Sequence, residues 1–271
     1  MSLRHRPWEE AVDFQIGLRP IAIADWLEGG EDDPAVRKDA LFERARDLVW
    51  AETEGSEAGQ AEALGLIETA LGPAPAQTGM PPLYVASRRV ADDLCLMEKV
   101  EGQWRLTALS LSAGGFFTAT EAIGKSLSEL HGPVTGFAER FLTRVQRVFE
   151  GLRPELVLER RNWTVLNSGE LHTPSSSPIR ALIPQIDPRE AGRTLRLRVE
   201  RQTLRRLPQT GGALFTIRVW LAPLGDLADD PQRLAAFAHA WRSATPDLRA
   251  YKRFDLYDHL VEAFLRDPQP A

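Results

Sequence analysis

Two places in the sequence carry residues that could do chemistry. The first is His131, which closes the run Ser126-Leu127-Ser128-Glu129-Leu130 and precedes Gly132-Pro133. Phenylalanine-rich segments flank it, with Phe116 and Phe117 before and Phe137 and Phe141 after. An imidazole in apolar surroundings can serve as an axial ligand to a heme iron. It can equally be a core or surface histidine satisfied by hydrogen bonds. The second place is the stretch Leu195–Leu224, where Glu200, Gln202, Thr216 and Arg218 stand among alternating apolar residues. A carboxylate inside such a stretch must be paired or protonated if it is buried. Glu200 could therefore hold an ammonium group or accept an arginine. Arg196, Arg198, Arg201, Arg205 and Arg206 form the one local basic cluster, suited to phosphate, carboxylate or an acidic partner face.

Other chemistries lack their residues. His5, His172, His239 and His259 form no HExxH or HxH pattern, so a zinc site has no support. Gly124-Lys125-Ser126 resembles the end of a phosphate-binding loop, but Ala119 stands where that loop needs glycine. No Gly-x-Ser-x-Gly elbow is present. Cys95 is the single cysteine, which excludes an internal disulfide and a cysteine-ligated cluster. The net charge of −5 argues against general attraction to nucleic acid, which rests on neutralising phosphates. No apolar run approaches the ~20 residues of a membrane span. The N-terminal MSLRHRPWEEAVDF has no apolar core of a secretory signal, so a cytoplasmic location is expected.

The elements that must position these residues follow from periodicity. Leu195, Leu197 and Val199, and then Ala213, Phe215, Ile217, Val219 and Leu221, recur every second residue, around a break at Pro208, Gly211 and Gly212. That pattern predicts a long antiparallel hairpin. It also puts Glu200, Gln202, Thr216 and Arg218 together on the face opposite the apolar residues. Asp92–Leu111 predicts a second hairpin about VEGQ. Helices are expected at 34–50, opened by Pro34, at 57–71, and at about 136–152. Ser126 and Glu129 have capping-box spacing, so a short helical turn should end near His131. Residues 1–33 read as irregular. Residues 72–82 and 112–125 read as loops, and 153–192 as mostly loop with a short strand at 181–183. Two terminal helices, PQRLAAFAHAWRSA and FDLYDHLVEAFL, are separated by TPDLRAYKR. Locally paired strands with segregated helices predict an α+β fold on an antiparallel sheet.

Several segments resemble, in order, the family containing the alpha subunit of heme-dependent oxidative N-demethylase. RVERQTLRRLPQTGGALFTIRVWLAPL is similar to the family's signature segment. GLRPIAIADWL, DDLCLMEKVEGQWRLTALSL, IGKSLSELHGPVTGF, RRNWTV and LRAYKRF resemble its other motifs. SAGGFF (112–117) and HGPVTG (131–136) depart from the usual PS-x-W and HxPVPG. The resemblance implies a single PAS-like domain over residues 1–271: a curved antiparallel sheet and helices enclosing heme b. It implies oxidation of a small amine such as dimethylamine by dioxygen. Electrons would come from a partner reductase carrying NADPH-reduced flavin mononucleotide and an iron–sulfur cluster. His131 matches the family's histidine and would be the iron ligand. Glu200, Gln202 and Arg218 would face the amine and dioxygen. Arg201, Arg206 and Phe117 would contact the cofactor. The alternative is a PAS-like heme or small-ligand binding module without turnover.

Overall fold

The computed structural model describes residues 5–10, 17–29, 33–75, 79–132 and 141–270. Their strands form one seven-stranded antiparallel sheet, so the fold is α+β as the segregated pattern predicts. The strands are β1 (Arg19–Ile21), β2 (Trp50–Glu52), β3 (Asp93–Val100), β4 (Gln103–Ser110), β5 (Val157–Leu166), β6 (Arg196–Arg206) and β7 (Ala213–Pro223). Their spatial order is β1-β5-β6-β7-β3-β4-β2. Both expected hairpins form. In the second, Leu207 N–H donates to the Gly212 carbonyl at 2.8 Å across a turn where Gly211 takes φ 75°, a conformation open to glycine.

The chain divides into two compact units. One comprises Met1–Ile16, Arg161–Glu200 and Val219–Ala271; the other comprises Gly17–Arg160 and Arg201–Arg218. The first unit is built on an aromatic cluster in which Trp241 stacks on Phe254 at 4.0 Å between ring centroids, with Trp163, Phe237 and Trp8 packed round them. Helices Pro231–Ser243, Pro246–Lys252 and Asp258–Arg266 add Ala240, Leu248, Leu260, Val261 and Phe264 to the same core. The middle one falls in the segment expected to be a separator. Pro246 occupies its first turn, where the missing N–H costs nothing, and Leu248 supplies its buried residue.

In the second unit the strand period sorts two cores. Leu94 and Leu96 join Leu214, Ala108, Trp26 and Trp50, with helices Glu57–Leu71 and Pro82–Ser87. Cys95 and Met97 join Leu106, Leu109, Leu204 and Ala213, with Leu127, Phe149 and Leu152. Alternate residues of one strand point to opposite faces, so these cores cover the two faces of the sheet. Helix Leu142–Gly151 lies in the second core; the stretch 133–140 before it, including the expected helix start, is outside the described residues.

The segment 153–192 differs from its expected loop. Val157–Leu166 is a ten-residue strand, and the expected strand at 181–183 is replaced by helix Ser177–Ala181 and a 3-10 turn at Ile183–Gln185. The run Glu159-Arg160-Arg161 hides the alternation of Val157, Trp163 and Val165. Glu159 is buried with Arg201 on one carboxylate oxygen and Arg19 on the other. A charge pattern that looks like solvent exposure is thus an internal ion pair. The 112–125 loop also holds a short helix, Ala119–Ala122, with a capping box from Thr118 and Glu121.

Candidate functional site around His131

His131 caps the short helix Leu127–Leu130. That helix is too short to persist alone. Its capping box is complete: Ser126 Oγ accepts from Glu129 N–H, and Glu129 Oε2 accepts from Ser126 N–H at 2.8 Å. Strand β4 grips the segment before it. Leu106 N–H donates to the Lys125 carbonyl at 3.0 Å, Gly124 N–H to the Leu106 carbonyl at 2.8 Å, and Arg105 Nη1 to the Gly124 carbonyl at 2.8 Å. Sequence-local capping and a sheet edge together set where the histidine stands.

The imidazole Nδ1 lies 2.7 Å from the Leu127 carbonyl oxygen. A carbonyl can only accept, so Nδ1 carries the proton of the neutral ring and the lone pair is on Nε2. Burial pushes the His131 pKa below the ordinary histidine value; the Leu127 bond opposes this and the nearby Arg160 charge adds to it. The neutral ring with its lone pair on Nε2 is the form that ligates a metal. Phe117, Leu130, Leu142, Val145, Leu158 and Phe215 pack against the same core while only partly buried. An imidazole held by the carbonyl of Leu127, itself part of an incompletely covered apolar core, fits a heme.

The sheet face beside this helix is fixed by one contact. The hydroxyls of Thr203 and Thr216 lie 2.7 Å apart, so odd residues of β6 share a face with even residues of β7. Leu204, and by the same parity Gln202, belong to the face that carries Phe215 and the His131 helix. Thr216 and Arg218 belong to the other. The expectation that Gln202, Thr216 and Arg218 share a face is therefore corrected. The hairpin turn pairs Leu207 with Gly212, which puts an odd position opposite an even one. The sequence alone does not reveal that offset.

Arg218 is buried near Asp92, whose own side chain is buried with neither carboxylate oxygen hydrogen-bonded. Burial pushes the Asp92 pKa up to about 6, against the pull of Arg218, Lys38 and Arg201. Arg201 is itself buried. Its Nε bonds Glu159 Oε2 at 2.5 Å, and its Nη atoms donate to the carbonyls of Trp26 and Asp25 at 2.7 and 2.6 Å. It ties the N-terminal segment to the sheet. Trp26 reinforces the tie by donating to Thr203 Oγ1 at 3.1 Å, with Arg205 over its ring. Arg206 donates to the Phe149 carbonyl at 3.3 Å and lies over Trp104. In the other unit, Glu200 Oε1 accepts from Arg198 Nε at 2.9 Å and Oε2 from Asn162 Nδ2 at 3.4 Å.

Sequence reasoning did not single out Arg160 or Asp93. Arg160 stands in the RRNWTV segment, where its neighbour Arg161 is the same residue type with the same half-burial and only the strand's alternation puts the two on opposite faces. Asp93 stands in DDLC, where the adjacent Asp92 gives the same residue type a different environment.

The family model for Haem-dependent oxidative N-demethylase, alpha subunit-like proteins matches residues 49–262. The chain belongs to this family. The matched residues include His131, Arg160, Glu200 and the whole β6–β7 hairpin. Among the described residues, no helix is long and apolar enough to cross a membrane.

Proposed function

We propose that the chain is the heme-carrying subunit of an oxidase that removes a methyl group from a small secondary amine such as dimethylamine. Its sheet and helices would form a PAS-like heme domain. The observation that carries this reading is the Nδ1 contact of His131 with the Leu127 carbonyl, which puts the lone pair of the neutral ring on Nε2. Membership of the family supports the cofactor and the reaction class.

Heme b, when bound, would supply the redox chemistry with dioxygen. The chain's own residues would then hold and select. His131 would ligate iron through Nε2. Phe117 and the partly buried leucines of the same core would exclude water from the macrocycle. Arg160, close enough to His131 to bear on its protonation, would neutralise a heme carboxylate. Gln202 lies on that sheet face as a neutral hydrogen-bonding group. Arg201 and Arg206 would act at a distance through the segments they tie down. Glu200 is the carboxylate proposed for the amine, oriented by Arg198 and Asn162. Arg218 is proposed as the counter-ion of Asp92. With Cys95 as its single cysteine, the chain cannot ligate an iron–sulfur cluster by itself, so electrons would come from a partner reductase. A cytoplasmic location suits such a reductase.

Titrating hemin into the protein should produce a Soret band that His131→Ala weakens or abolishes. Dimethylamine should perturb that band, and a suitable reductase with NADPH should release formaldehyde. A protein that never takes up hemin would sink the proposal. Hemin binding and an amine response without formaldehyde would favour the binding-module alternative.

A further inference from the structure

The segment between β4 and helix Ala119–Ala122 is pinned at both ends. At its start, the Asp93 carboxylate accepts from Ser112 N–H at 2.5 Å, Ser112 Oγ at 2.9 Å, and Ala113 N–H at 3.0 Å to one oxygen and 3.1 Å to the other. Arg37 Nη1 donates to the Ser112 carbonyl at 3.0 Å. At its end, Thr118 closes its capping box with Glu121, and Thr120 Oγ1 donates to the Asp47 carbonyl at 2.8 Å. Only Gly114-Gly115-Phe116-Phe117 lies between. Gly114 passes so close to Leu111 that an added Cβ would stand 2.6 Å from that side chain. Phe116 takes φ 68°, a left-handed conformation that costs a bulky side chain free energy and persists only where the surroundings impose it. Phe117, next to it, packs in the core that contains Leu127, the residue whose carbonyl holds His131.

Asp93 opens β3 opposite Ile217, on the face of Cys95 and Phe215. Its side chain is buried, and charge-assisted bonds to two consecutive amides are among the stronger hydrogen bonds available to a carboxylate. We infer that Asp93 is a positioning residue: it fixes the start of the 114–117 span so that Phe117 keeps its place in the core of Leu127, whose carbonyl holds His131, and so governs how a small amine fits there. This rests on the heme reading above. Asp93 touches no reacting atom in this role and acts through the backbone of Ser112 and Ala113.

The test uses the full chain with Asp93→Asn and, as a milder change, Ser112→Ala. Amide hydrogen exchange should show protection at residues 112–117 falling at least tenfold in Asp93→Asn while the strands keep theirs. Hemin should still give a Soret band. The dimethylamine concentration for half-maximal spectral change should rise about tenfold in Asp93→Asn and severalfold in Ser112→Ala. Unchanged amine titrations in both variants overturn the inference, as does unchanged exchange at 112–117. A parent protein that takes up no hemin overturns the heme reading, and with it this role. If Asp93→Asn fails to fold, Ser112→Ala, which removes one hydroxyl donor and keeps every backbone bond, decides the question.

Discussion

The hydroxyl oxygens of Thr203 and Thr216 are 2.7 Å apart, fully buried between neighbouring strands. This contact puts Gln202 and Arg218 on opposite faces of the sheet. It predicts a division of effects. Gln202→Ala should alter the Soret band of the hemin complex while changing stability by less than about 1 kcal/mol. Arg218→Met should leave the spectrum as it is and lower stability by about 1–3 kcal/mol, because Asp92 loses the strongest of the opposing charges around it. Urea melts and hemin titrations of the two variants check this; a spectral change in Arg218→Met alone would reverse the assignment.

Asp92 carries a pH signature. Its pKa is raised from 3.8 to about 6 by burial. The folded protein therefore holds this proton more tightly than the unfolded chain, and the group destabilises the fold once ionised. Stability should be greatest from this source below about pH 4 and should fall as the pH rises through 6. Asp92→Asn should remove that slope; at pH 7 it ends the cost of ionising a buried carboxyl but leaves Arg218 without that counter-charge, so any net gain in stability should stay below about 3 kcal/mol. Denaturant melts of parent and variant between pH 4 and 7 would read the difference; parallel curves would rule the effect out.

The Arg201–Glu159 pair should behave as a buried ion pair. The side chains are 2% and 3% exposed. Removing one partner, as in Arg201→Met, should cost about 1–3 kcal/mol, because the buried Glu159 then keeps only the half-exposed Arg19 as its partner. The double variant Arg201→Met with Glu159→Leu should recover part of that loss, because the two desolvation costs vanish together while Arg19 and Glu28 lose a partner each. Arg201 also holds the Trp26 and Asp25 carbonyls, so limited proteolysis should cut the 17–29 segment faster in both variants. Equal cutting in parent and variants would contradict this tie.

Ser126 couples local capping to the site. Ser126→Ala deletes the side-chain cap of the four-residue helix that carries His131, at about 1 kcal/mol. The expected outcome is a modest drop in thermal midpoint and a several-fold weaker uptake of hemin. Ser126→Asp, which keeps a capping acceptor, should restore both. Hemin affinity that is the same in all three proteins would separate the cap from the site.

The sequence by itself determined the α+β class, both hairpins, the capped turn ending at His131 and the terminal helices. Each of these is written in local spacing: alternation for strands, a serine three residues before a glutamate for the cap. The tertiary structure decided the rest. Strand β5 was illegible because Glu159 and Arg160 look like surface charges, and pairing with Arg201 and Arg19 is what makes Glu159 compatible with burial. The face of Arg218 was illegible because parity within one strand says nothing about register with the next. Asp92 and Asp93 are the same residue type side by side, yet one carboxylate holds a loop and the other has no hydrogen bond. Consecutive strand positions point to opposite sides of a sheet. What lies on each side is set by residues far away in the chain: Ser112 and Ala113 for Asp93, Lys38 and Arg218 for Asp92.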